Sequence, residues 1–116
     1  MINYRPRIAD QLLDDLLDAC GCVLIEGSKW CGKTTTAEKI ANSVVYMADP
    51  AEGERNRQLA KATPNYLLQG DTPRLIDEWQ VVPTLWDAIR GEVDHRRALG
   101  QFIITGSAVP PHLRQH

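Results

Sequence analysis

Gly27-Ser28-Lys29-Trp30-Cys31-Gly32-Lys33-Thr34 has the spacing G-x-x-x-x-G-K-[ST]. Its reading depends on what flanks it. Cys22-Val23-Leu24-Ile25-Glu26 runs into it as a short apolar, β-branched segment of the kind that forms a buried strand. Thr34 to Ala41 leaves it with helix formers and neither Gly nor Pro. A strand, a glycine-rich turn and a helix in that order form a phosphate cradle. With glycine near 7% of residues, the bare pattern arises by chance in roughly one of a few hundred chains this long. The strand and helix on either side disfavour the alternative of an ordinary glycine-rich turn.

Each residue type in the cradle has a physical reason. Gly27 and Gly32 allow turn conformations that a Cβ would forbid. The amides of Ser28, Lys29, Trp30, Cys31 and Gly32 can then converge on an oxyanion, aided by the positive end of the helix dipole. Lys33 supplies a mobile charge for the β- and γ-phosphates, Thr34 a hydroxyl ligand for Mg²⁺, and Thr35 a hydrogen bond to the α-phosphate. The expected ligands are therefore ATP or ADP with Mg²⁺. No Asn-Lys-x-Asp motif follows, which disfavours GTP.

At 116 residues the chain is one domain at most, with 43% hydrophobic and 24% charged residues, the balance of an ordinary soluble globular protein. Its net charge of −2 provides no basic field, so composition gives no nucleic-acid signal. No apolar run reaches the length of a membrane span, and the opening residues lead into no signal-peptide core, so the expected location is cytoplasmic. Cys20, Cys22 and Cys31 lack metal-ligand spacing. Cys31 stands where a helix N-terminus would favour a thiolate; the plainer reading is that only its backbone matters.

Outward from the cradle, Ile8 to Ala19 carries Leu12, Leu13, Leu16 and Leu17 at helical spacing, with Asp10, Asp14, Asp15 and Asp18 on a solvated face and Gly21 as the stop. Ser43 to Pro50 reads as a second strand closed by Asp49-Pro50, and Ala51 to Ala62 as a polar helix stopped by Thr63-Pro64-Asn65. Tyr66 to Gly70 fits more than one state. Leu75-Ile76-Asp77-Glu78 is a brief apolar strand that delivers two carboxylates at its carboxyl end, the Walker B pattern. Asp77 would hold Mg²⁺, and Glu78 would orient and deprotonate the attacking water. Pro73 and Arg74 stand where apolar residues are usual, so this strand is expected to be short or to begin near an edge. Pro83 opens a helix whose Leu85, Trp86, Ile89 and Val93 face the core. It ends in His95-Arg96-Arg97, either favourable charge at a helix C-terminus or a contact patch. The last strand, Gln101 to Thr105, brings Thr105 to the γ-phosphate as a reporting residue, with Ser107 as second candidate.

Gly27 to Thr34, Leu75-Ile76-Asp77-Glu78-Trp79-Gln80 and Ile103-Ile104-Thr105-Gly106-Ser107 together resemble the Walker A, Walker B and sensor-1 segments of AAA+-type ATPases. They are most similar to a prokaryotic group of predicted AAA ATPases with a C-terminal domain of unknown function. The resemblance implies a three-layer α/β P-loop NTPase fold with a mostly parallel sheet of order 5-1-4-3-2 and ATP at the carboxyl ends of its strands. Residues 1–110 would form a partial nucleotide-binding domain and 111–116 a tail. In that group a fifth strand, a helical lid, an arginine finger and a further domain follow, so the chain is expected to be truncated before them. The strand before the cradle would then lack a neighbour, to be covered by the N-terminal segment, the tail or another copy in a homo-oligomer. The function expected is Mg²⁺-dependent ATP hydrolysis. The alternatives are a nucleotide-binding module with negligible turnover and, behind it, a small-molecule P-loop kinase.

Overall fold

The computed structural model describes residues 2–4, 10–27 and 33–107. Among these residues five strands form one sheet: β1 (Ile2–Tyr4), β2 (Cys22–Gly27), β3 (Ser43–Tyr46), β4 (Arg74–Asp77) and β5 (Phe102–Ser107). Their order is β1-β2-β5-β4-β3, and every neighbouring pair is parallel. Between them run α1 (Asp10–Ala19), α2 (Lys33–Ile40), α3 (Gly53–Ala62), α4 (Pro64–Leu67) and α5 (Leu85–Arg96).

The strand sequences alternate between two cores. Val23, Ile25, Leu75 and Ile103 point to one face, where Leu13 and Leu17 of α1 and Ala37 of α2 cover them. Leu24, Val45, Ile76, Phe102 and Ile104 point to the other, under Ala60, Leu67, Leu85 and Ile89 of α3, α4 and α5. Burial on both faces is why these strands read as continuous apolar runs. The distribution of helices is the one that crossovers of a single hand require. The chain moves across the sheet in one direction through β1, β2 and β3, with α1 and α2 on one face. It returns through β4 and β5 with the remaining helices on the other.

This is the expected 1-4-3-2 arrangement. Its open edge is covered by the first of the three coverings considered: β1 pairs with β2 through Ile2 opposite Val23 and Tyr4 opposite Ile25. Several boundaries differ from the sequence reading. β3 ends at Tyr46 rather than continuing to Pro50, because Asp49 Oδ2 accepts the N–H groups of Ala51 (2.9 Å) and Glu52 (2.7 Å) and turns the chain into α3. Thr63-Pro64-Asn65 does stop α3, but Pro64 is also the first residue of α4. α5 begins at Leu85, two residues past Pro83. β4 is short, as expected, yet it lies between β3 and β5 rather than at an edge. Arg74 explains its unusual start. Its guanidinium donates to Leu67 O (2.7 Å) and Ser43 Oγ (3.0 Å), tying β4 to α4 and β3, and Gly70 makes room for it at φ 153°.

The basic cluster after α5 divides. Arg96 turns inward: it donates to Glu92 Oε2 (2.7 Å), Gln101 Oε1 (3.1 Å) and Leu68 O (3.2 Å), and its guanidinium lies 5.0 Å from the Phe102 ring centre. Arg97 ends the helix in a left-handed conformation, φ 52°, its N–H donating to Val93 O. His95 and Arg97 are exposed.

Cys22 is buried, and loss of water around it pushes its thiol up to about 12. It should therefore stay a neutral thiol at pH 8. In a timed alkylation with iodoacetamide read by peptide mass, Cys22 is expected to react at least tenfold more slowly than the half-buried Cys20, and only on unfolding.

Candidate active site at the carboxyl edge of the sheet

Parallel strands set their carboxyl ends at one edge, and register decides which residues meet there. Asp77 is level with Thr105, and Thr105 with Ile25. Two residues on, Ser107 pairs with Gly27, the last residue of β2 and the first of the glycine-rich motif. Helix α2 starts at Lys33. The predicted strand and helix therefore flank the motif as required. The loop 28–32, with Ser28, Lys29, Trp30, Cys31 and Gly32, lies outside the described residues, as do the side chains of Lys33 and Thr34. Thr35 is exposed on the first turn of α2.

The acidic pair and Thr105 are brought together. Thr105 is fully buried, so its hydroxyl must find partners inside the protein. It donates to Asp77 Oδ1 (2.6 Å) and accepts the Glu78 N–H (3.2 Å). One hydroxyl thus fixes an oxygen of the first carboxylate and the backbone of the second residue. Glu78 departs from the strand at φ 59°, ψ 52°. For a residue with a Cβ this left-handed conformation costs roughly 1–2 kcal/mol. It sends the carboxylate back over β5, where Oε1 accepts Ser107 Oγ (2.6 Å) and Oε2 accepts the Ser107 N–H (3.2 Å) and Gln80 Nε2 (2.5 Å).

A single turn of 3₁₀ helix, Trp79–Val81, holds this arrangement from above. The Trp79 ring packs on Trp86 of α5, centres 4.9 Å apart and tilted by 44°, a geometry worth about 0.5–1.5 kcal/mol beyond area burial. Gly106 lets Trp79 and Gln80 approach β5. A Cβ there would lie 3.0 Å from Trp79 Nε1 and 3.1 Å from Gln80 Oε1. Gly106→Ala is expected to lower stability by about 1–2 kcal/mol and to shift tryptophan emission, as the indole and amide are displaced. Urea unfolding followed by fluorescence measures both.

Sequence reasoning named Asp77, Glu78, Thr105 and Ser107 but did not find Gln80 or the role of Trp79. The only local signal was a polar residue two positions past the acidic pair, after Trp79. Gln80 Oε1 is buried without a hydrogen-bond partner, a cost of about 1–3 kcal/mol. A cavity of about 390 Å³ lies at the amino edge of the sheet between Leu17, Asp18, Ile40, Pro73 and Gly100. The acidic pair is not among its lining residues. The switch-point rule places ligands at the carboxyl edge instead.

Fold and edge together define a P-loop NTPase-like domain of the AAA type. The family model described as an AAA domain matches residues 21–116, and the chain belongs to that family. Comparison with curated proteins and with solved structures gives no match. Among the described residues, no helix is long and apolar enough to cross a membrane.

Proposed function

We propose that the chain binds ATP at the carboxyl edge of β2, β5 and β4 and hydrolyses it with Mg²⁺. The observation that carries this reading is the joint fixing of Asp77 and Glu78 by Thr105, beside the strand that enters the glycine-rich motif. Family membership supports the nucleotide; the hydrolytic step is our own reading.

The donor set suits magnesium. Among the described residues no group of three or more His, Cys, Asp and Glu could enclose a metal. Mg²⁺ seldom uses such a cage; it is held by one or two protein oxygens, water and the substrate's phosphates. Asp77 and Thr34 would hold it, and it would supply charge neutralisation at the phosphates.

The chain's own residues then have separate tasks. The motif's amides and Lys33 would bind and orient the polyphosphate. Thr105 keeps Asp77 in one rotamer and would register the terminal phosphate. Glu78 would take the proton of the attacking water on a carboxylate oxygen. The likeness of Leu75 to Gln80 and of Ile103 to Ser107 to the prokaryotic predicted ATPases narrows the proposal to that group, acting in the cytoplasm. The test is MgATP binding by calorimetry beside phosphate release, on the parent chain and on variants at Lys33 and Glu78.

A second reading, binding with very slow turnover, has one observation in its favour. The Glu78 carboxylate is already engaged by Ser107 and Gln80.

A further inference from the structure

Helix α2 begins with Lys33 and Thr34, yet little apolar packing fixes where it lies on the sheet. Its 8 residues make only a marginal helix by themselves. Among its described side chains Ala37 alone is fully buried, and Ile40 is partly so. An alanine removes too little surface from water to hold a helix in one place. Polar links supply the rest. Asn42, just past the helix, donates its N–H to Pro73 O (2.8 Å) and its Nδ2 to Thr72 O (2.7 Å), which pins that end of α2 to the entry of β4. The second link is a hydrogen bond from Tyr46 Oη to Glu38 Oε2. Glu38 stands one helical turn after Thr34, and Tyr46 ends β3 level with Asp77. The Met47 N–H donates to Asp77 O (3.1 Å), so the ends of β3 and β4 are joined there. The Tyr46 phenol is pushed up to about 12 by its bond to Glu38, by loss of water and by the charges of Glu38, Asp77 and Asp49, so it remains a donor at neutral pH.

We infer that the hydrogen bond between Tyr46 and Glu38 positions the helix that carries Thr34 against the strand that carries Asp77, and so sets the fit of the site for Mg²⁺. This inference rests on the ATP and Mg²⁺ reading above. Mg²⁺ accepts a narrow range of ligand distances, so a small shift of one ligand's element lowers its binding steeply. The polyphosphate is less sensitive to such a shift. Its proposed ligands, the motif's amides and Lys33, are continuous with α2 in sequence and move with it. Tyr46 and Glu38 are thus positioning residues, acting through the separation of Thr34 and Asp77.

The experiment titrates ATP by calorimetry into the parent chain and into Tyr46→Phe, Glu38→Ala and Glu38→Gln, in EDTA and in Mg²⁺. Tyr46→Phe and Glu38→Ala are each expected to weaken binding in Mg²⁺ about three- to tenfold, the net worth of one hydrogen bond, and to leave binding in EDTA within about twofold. Glu38→Gln keeps a carbonyl oxygen for the phenol and so separates the bond from the charge; it should stay within about twofold of the parent in both media. The double variant Tyr46→Phe with Glu38→Ala should bind no more weakly than either single one, as two partners in one bond require. Urea unfolding accompanies each titration. A loss of stability without a loss of Mg²⁺-dependent affinity assigns the bond to the fold alone and overturns the inference. The same factor lost in EDTA as in Mg²⁺ overturns it too, as does Glu38→Gln binding as weakly as Glu38→Ala. A parent chain that binds ATP in neither medium defeats the nucleotide reading itself, and the inference falls with it.

Discussion

Lys33→Ala is expected to weaken MgATP binding by about a hundredfold or more. A single charge-assisted contact to phosphate is worth about 1.5–3 kcal/mol, and each 1.4 kcal/mol is tenfold in affinity. Losing the ammonium also leaves the β- and γ-phosphates facing Asp77 and Glu78 with less counter-charge, which adds to the loss. The substitution itself is benign for the fold. Lys33 is the first residue of α2, and alanine is the best helix former. Calorimetric titration would give the affinity, and far-UV circular dichroism would verify the helix. Trp30 lies inside the motif, so a variant keeping it as the only tryptophan, with Trp79 and Trp86 replaced by Phe, offers a second readout. Its emission should change with MgATP in the Lys33 background and remain flat in Lys33→Ala. Equal affinity in parent and variant would remove the phosphate cradle from the account, and with it the proposed site.

The same site shows what a sequence can disclose. Strands β2 and β5 were legible because both faces of each are buried, so nearly every position must be apolar and the run stands out. Asp77 and Glu78 were legible because charged residues at the end of such a run have no packing reason to be there. Thr105 was legible for a related reason, a hydroxyl at the close of an apolar strand.

What stayed hidden depends on register. That Ser107 meets Glu78 follows from the offset between β4 and β5, where Asp77 faces Thr105 and two further residues carry β5 past the end of β4. No local pattern encodes that offset. The left-handed conformation of Glu78 is equally silent, since glutamate has no intrinsic preference for it that a sequence would display. Strand β1, three residues long, is too short to show any periodicity. Only the vacant edge of β2 pointed to it. The early end of β3 was misread because the Asp49 side chain closes a turn that its Met47-Ala48 neighbours, read as strand, conceal. The Asp49 turn is local; in the other cases the missing information is a contact between segments.

Glu78→Gln separates binding from chemistry. MgATP affinity is expected to stay within about threefold of the parent. Phosphate release is expected to fall by about 10²–10⁴, the contribution of a positioned general base. The change is close to isosteric and keeps one oxygen to accept the Ser107 N–H, while the Ser107 hydroxyl can rotate to suit the new amide. It leaves the Thr105 contacts intact, because these involve Asp77 and the Glu78 backbone rather than its side chain. A loss of turnover therefore cannot be ascribed to a collapsed edge. Asp77→Asn supplies the contrast: it disturbs the oxygen that Thr105 fixes and the proposed magnesium ligand together, so binding in Mg²⁺ and turnover should fall in concert. Equal phosphate release from Glu78→Gln and the parent would eliminate Glu78 as the base and leave a nucleotide-binding module. Loss of binding in Glu78→Gln would point instead to a carboxylate that shapes the site, because a base that acts only on water has no reason to hold the nucleotide.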